Sequence, residues 1–275
     1  MKSRTLRVIL GVGLGVALGI AAMGTSASAA QSVRHVPVTT ASQALPASAS
    51  TAAVGGEVRA EYRTADGITH GALFLAAAGV SAKQLYQNLQ KAHVRGLIDP
   101  SAIVPLDSSC SYGTAECLNG QAPPDVWARN GYTNPQIYYH DMSSSAWPEG
   151  TVISQWNNSP NIHVAWAPNG CPGYSGTHCV NVSDGYYGTS GVWSQTQGIT
   201  WYNVDANHYF IDGAVSIQFN DSYSSNHRAV ACQETGHSFG MGHNLGTGSC
   251  MYAYNPYSGY PDSDDYSLIK YVLYP

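Results

Sequence analysis

An α+β fold is predicted for this chain of 275 residues by three observations. Two alternating, β-prone stretches flank a helical one within residues 136–166; two further strand candidates follow a glycine-rich middle; and a helix dense in polar and histidine residues precedes a last amphipathic helix. Mixed strands with few helices, rather than regular strand and helix alternation, place the pattern in the α+β class.

The chain opens on a basic patch (Lys2, Arg4, Arg7), an apolar and glycine-rich run over residues 8–24, and the small-residue pattern Ala27-Ser28-Ala29. This order predicts a secretory signal peptide over residues 1–29. The run ends in small polar residues, not a basic flank, which argues against an anchor. No other stretch approaches membrane-spanning length, so the mature form is expected to be secreted, extracellular and free of the membrane.

Residues 30–123 are read as a pro-region or an N-terminal segment retained in the mature protein, since processing leaves no mark in the sequence. Up to about residue 55, Ala, Ser, Thr and Val with few charges predict a mobile stretch. From Gly55 to Leu106, Val80, Leu85, Leu89 and Leu97 have helical spacing among the basic residues Arg59, Arg63, Lys83, Lys91 and Arg95.

Residues 124–275 form the second region. Gln136 to His140 and Asn161 to Trp166 alternate as strands, and Pro148 to Trp156 suits a helix. Ile199 to Val204 and Val215 to Phe219 are the later strands. Asn226 is a suitable N-cap for a helix ending at Phe239. Asp262 or Ser263 can cap the final helix, where Leu268 with Val272 and Ile269 with Leu273 make i,i+4 apolar pairs.

Charge restricts the partners. Beyond Arg129 only Arg228 and Lys270 are basic against ten Asp and Glu, a net charge of −8 in that part, while the whole chain carries −5. Nucleic-acid binding requires clustered Lys and Arg to neutralise phosphates, so it is excluded here. The six cysteines, an even number in an exported chain, predict disulfides. Of the fifteen pairings that six cysteines allow, proximity favours Cys110 with Cys117, Cys171 with Cys179, and Cys232 with Cys250.

The chemistry concentrates in residues 232–252. Gln233 and His237 are four apart and share a helix face, with Glu234 beside them. His243 lies six beyond His237 and would leave that face if the helix continued. Gly240 stands where a helix can end in a left-handed residue, which would return His243 toward His237. Three converging donors with a fourth position open describe a catalytic zinc site.

The segment Cys-Gln-Glu-Thr-Gly-His-Ser-Phe-Gly-Met-Gly-His, followed by Cys250-Met251-Tyr252, resembles the metzincin zinc-protease signature with its Met-turn, in its matrixin branch. The resemblance implies Glu234 as the general base, His237 and His243 as ligands, Gly240 as the turn glycine and Met251 beneath the metal. It covers roughly residues 124–275, its specific part being the motif itself. Gln233 departs from the pattern, which has histidine there. Its amide oxygen is neutral like imidazole but a poorer zinc donor. A matrixin cysteine switch is not expected, because residues 30–109 contain no cysteine.

The resemblance thus implies a secreted, monomeric zinc endopeptidase acting on protein or peptide substrates, with Gln233, His237 and His243 around zinc. The alternative is a metzincin-fold binding protein without catalysis. His140, His163, His178, His208 and His227 are expected to be structural, although one of them could replace the missing ligand. Asp184 and the group Asp262, Asp264 and Asp265 could bind calcium, Asp-rich turns and caps being the commoner use.

Overall fold

The computed structural model describes residues 56–102, 107–223, 226–253 and 258–275, all within one compact unit spanning Ala49–Pro275. The predicted signal peptide and the stretch up to residue 55 lie outside the described residues. Two sheets are present. The larger comprises β1 (Glu57–Arg63), β2 (Thr69–Ala76), β5 (Gln136–Asp141), β6 (His163–Trp166), β7 (Thr177–Gly185), β8 (Thr196–Val204) and β9 (Ser216–Asn220), and the smaller comprises β3 (Ser111–Tyr112), β4 (Ala115–Cys117) and β10 (Met241–Asn244). The larger sheet runs β1-β2-β8-β9-β7-β5-β6 across its width. Strands β6, β5, β7 and β9 are mutually parallel, while β8 runs antiparallel to β9 and β2, and β2 antiparallel to β1.

The helices are α1 (Ala82–Lys91), α2 (Glu149–Trp156), α3 (His227–His237) and α4 (Ser263–Leu268), the last running into a π-helical turn over Ile269–Leu273. Strand and helix expectations for residues 136–166, 199–219 and 226–239 match these elements, as does the capped final helix. Asn226 caps α3 by accepting from Ala229 N, and Asp262 caps α4 within a capping box closed by Asp265. The nine-residue strand β7 was not foreseen in the glycine-rich middle.

The helical expectation for residues 55–106 holds only in part. Helix α1 takes Ala82–Lys91, started by the Ser81–Gln84 capping box. The preceding residues instead form the β1–β2 hairpin. Period two explains it. Val58 and Ala60 face one side with Ala72, Phe74 and Ile199, where Leu85 and Leu89 of α1 cover them. Glu57, Arg59 and Glu61 alternate with them and, through the register Glu57↔Leu75 and Arg59↔Leu73, share the other side with Leu73 and Leu75. Those leucines belong to the main core with Trp156, Phe239 and Met251. Val80 and Leu97 flank α1 and pack on the smaller core. Residues read as a pro-region or N-terminal segment therefore supply two strands to the sheet that carries the rest of the chain.

The three disulfides pair as proximity suggested: Cys110–Cys117, Cys171–Cys179 and Cys232–Cys250. Among the described residues no cysteine is free, and no helix is long and apolar enough to cross a membrane.

Candidate metal centre

Helix α3 is buried from Ala229 through His237, so its polar residues need partners within the protein. Gln233 and His237 lie one turn apart, as the i,i+4 spacing requires. Ser238 caps the helix, and Gly240 follows with φ 103°. A Cβ on Gly240 would collide with the carbonyl oxygen of Asp125, so both dihedral and space demand glycine. The chain then turns into β10, which pairs antiparallel with β4 of the 110–117 cystine hairpin. This returns His243 to His237, with ring centroids 5.5 Å apart at 82°.

His237 Nδ1 lies 2.8 Å from Met241 O. A carbonyl only accepts, so Nδ1 carries the hydrogen and leaves Nε2 as the nitrogen available to another partner. That Nε2 meets a residue the motif did not contain. Glu57, at the start of β1, places Oε2 2.9 Å from His237 Nε2 and Oε1 3.2 Å from His243 Nε2. The second contact is an ion pair without hydrogen-bond alignment, since His243 Nε2 has no hydrogen-bond partner. Burial alone would raise the Glu57 carboxyl, but the two imidazoles outweigh it and hold it far below the usual carboxylate range. Burial opposes charge on both histidines too. The Glu57 carboxylate reverses this, raising His237 and bringing His243 up to about 9.

Glu234 is fully buried against β8. Its Oε2 accepts from the Thr200 hydroxyl, whose oxygen also lies 3.1 Å from the Glu234 main-chain oxygen. Its Oε1 has no partner and lies where a Cβ on Gly198 would fall, at 2.7 Å. Burial raises the Glu234 carboxyl to about 8, and Glu57 adds to the rise while His237 and Thr200 oppose it. Gln233 is fully buried with neither amide atom hydrogen-bonded. Met251, also buried, presses its Sδ where a Cβ on Gly236 would stand, and the Cys232–Cys250 disulfide fastens its turn to α3.

The structure therefore brings together His237 and His243 with Glu234 nearby, adds Glu57, and places Gln233 one turn before His237, Gly240 in the turn between the histidines and Met251 against Gly236. Among the described residues, Glu57, His237 and His243 form the group of acids, histidines and cysteines able to hold a metal ion, their ligating atoms lying within 4.8 Å of one another. His140, His163, His178, His208 and His227 stay outside it. His178 bonds Asp212 and Ala128 O, His208 bonds Asp125, and His227 lies against Ala146 O and stacks on Trp147. No local signal could have found Glu57. It lies 180 residues before His237, and only sheet topology joins them.

Two imidazoles and a carboxylate are donor types that a divalent metal ion takes. Tetrahedral ligands about 2.0–2.2 Å from an ion are about 3.3–3.6 Å apart; the Glu57 contacts of 2.9 and 3.2 Å are shorter than that, while the three ligating atoms all lie within 4.8 Å of one another. The buried, unpartnered atoms of Glu234 and His243 are groups that a bound ion and its water would satisfy. The acids named as calcium candidates accept hydrogen bonds from the backbone. Asp184 accepts from Ser144 N, Asp264 from Thr114 N, and Asp262 and Asp265 make the α4 capping box. No protein-family model matches the chain, and no curated protein matches it.

Proposed function

We propose that the protein is a secreted zinc-dependent endopeptidase of metzincin type, with His237 and His243 as ligands and Glu234 as the proton carrier. The observation that supports this reading is the convergence of His237, His243 and Glu234 within one largely buried site, reached from α3 and the Gly240 turn. Bound zinc supplies a Lewis acid that polarises a carbonyl and acidifies water.

The chain's own residues do the rest. Thr200 holds Glu234 Oε2, so Oε1 is the oxygen free to accept a proton from the attacking water and return it to the departing amine. Burial keeps that carboxyl basic, and a neighbouring dication would lower it into the ionised form a base needs. Met241 O fixes the His237 ring and tautomer. The His243 side chain is 24% exposed whereas those of His237 and Glu57 are 0% and 3%, so solvent and substrate approach from the His243 side. The three disulfides suit an oxidising, extracellular setting.

The test is to purify the protein, count bound zinc, and follow cleavage of an unstructured protein with and without chelator. One zinc per chain is expected, with cleavage abolished by chelation and reduced roughly 10²–10⁴-fold in Glu234→Ala. A chain that holds no zinc and behaves identically as Glu234→Ala would be a binding protein on this fold.

A further inference from the structure

Building on that zinc reading, we propose that Glu57 is the third protein ligand of the centre, supplying from the N-terminal strand the donor that position 233 no longer provides. Residues 56–98 are then a permanent part of the site. The ligand set becomes two imidazoles and a carboxylate, a combination that catalytic zinc sites use.

Three features distinguish Glu57 from Gln233 as the donor. The first is chemistry: a carboxylate binds zinc more firmly than a neutral amide oxygen. The second is aim. Glu57 has one oxygen at each histidine, at 2.9 and 3.2 Å, whereas neither Gln233 atom is hydrogen-bonded to anything that would orient the amide. The third is support. Gly56 N donates to Ala253 O, two residues past Met251, and Arg59 Nη1 donates 2.7 Å to Leu118 O. The strand bearing Glu57 is thus tied to the turn after Met251 and to the loop after β4, which lies against the Gly240 turn through Leu118 N and Gly240 O.

The same strand is not a loose cover. Strand β2 pairs with β8 from Thr69↔Val204 to Ala76↔Thr196, and β1 pairs with β2 along its length. Leu73 and Leu75 enter the core that holds Met251, and Phe74 and Ala72 lie beside Ile199 on the other face. A ligand on such a support is pre-positioned by the fold. Removing residues 56–98 would take away the carboxylate, leave the β2-side edge of β8 unpaired and uncover its Ile199 face.

The experiment uses the full-length chain, stripped of metal by chelator and titrated with Co²⁺, read by its visible absorption, then with Zn²⁺ in competition. Wild type is expected to take up one ion in a tetrahedral environment. Glu57→Gln is expected to bind at least about 100-fold more weakly, a ligand loss exceeding the roughly 10–100-fold known for removing outer-shell partners. Adding Gln233→His to Glu57→Gln is expected to recover most of that affinity.

Thermal melts of the same samples report folding. Should Glu57→Gln not fold, Glu57→Asp gives the same readout, since it keeps the charge and withdraws the carboxylate by one methylene. The proposal is overturned if folded Glu57→Gln binds within about threefold of wild type, or if it cleaves faster than wild type, which would make Glu57 a plug. A folded double variant that stays weak overturns the exchange with position 233. A wild-type chain that takes no ion fails the zinc reading itself, a distinct outcome.

Discussion

At position 240 the backbone has φ 103°, and a side chain there would strike Asp125 O. Gly240→Ala is therefore expected to cost about 2–3 kcal/mol through strain and steric conflict. It should weaken metal binding with it, because the same turn carries His243; a denaturant midpoint and a metal titration on one sample check both. Glu149 offers a separate test, on the opposite side of α3. Its carboxyl is wholly buried, accepts from the Thr235 hydroxyl at 2.7 Å, and has a second oxygen without a partner. Burial raises it from 4.5 to about 8, with Asp141 adding to the rise and Thr235 opposing it. Between those values the folded chain binds more protons than the unfolded one, so this group's contribution is fully favourable below about pH 4.5 and is lost as pH rises to about 8. Glu149→Gln removes that titration. The variant should gain on wild type by up to about 3–4 kcal/mol between pH 5 and pH 8.5, measured by urea unfolding at both; parallel curves would refute the assignment.

Among the elements, α3 depends on its anchors because its burial leaves little room for adjustment. The Cys232–Cys250 disulfide closes a segment of sequence separation 18 between the helix and the Met251 turn. Replacing both cysteines by serine should lower stability by about 3 kcal/mol on the chain-entropy account, read as a fall in denaturant midpoint, and should loosen the Met251 packing on Gly236. At α4, Asp262 accepts from the amides of Asp264 and Asp265 and from Asn244 Nδ2. Asp262→Ala is expected to cost about 1–2 kcal/mol, the loss of a cap with an added side-chain bond, and calcium should not restore the melting temperature. The elements carrying these groups were legible because their signals are local: an Asn or Asp before an apolar helical period, alternation at Gln136 to His140, glycine at a helix end. Strands β1 and β2 were not, because Val80, Leu85, Leu89 and Leu97 supply a helical period that masks the shorter alternation of Glu57 to Arg63. Nor was Glu57, whose partners are set by the register of three strands rather than by spacing.

At the scale of the whole molecule the question is whether the N-terminal hairpin belongs to the cooperative unit or rests on it. Its burial on both faces argues for membership. Leu73 and Leu75 share a core with residues of α2, α3 and β9, while Phe74 meets Trp201 of β8 edge-on with centroids 5.6 Å apart. Polar contacts cross the same junction: Asn88 Nδ2 donates to Gln195 Oε1 at 2.7 Å, and Tyr202 OH to Glu61 Oε2 at 3.2 Å. A segment joined through a shared core and a ladder that keeps register from Thr69 to Leu75 opens only when the core opens. Native-state hydrogen exchange separates the cases. If the hairpin is integral, amides of the β2–β8 ladder, such as those of Leu73 and Leu75, should exchange with the same opening free energy as Ile217 of β9, within about 1 kcal/mol, and should respond to denaturant with the slope of global unfolding. Opening at a free energy several kcal/mol lower, with a small denaturant slope, would mark residues 56–98 as a detachable subunit of the fold, and Glu57 as a group that can leave the histidines while the rest of the chain stays folded.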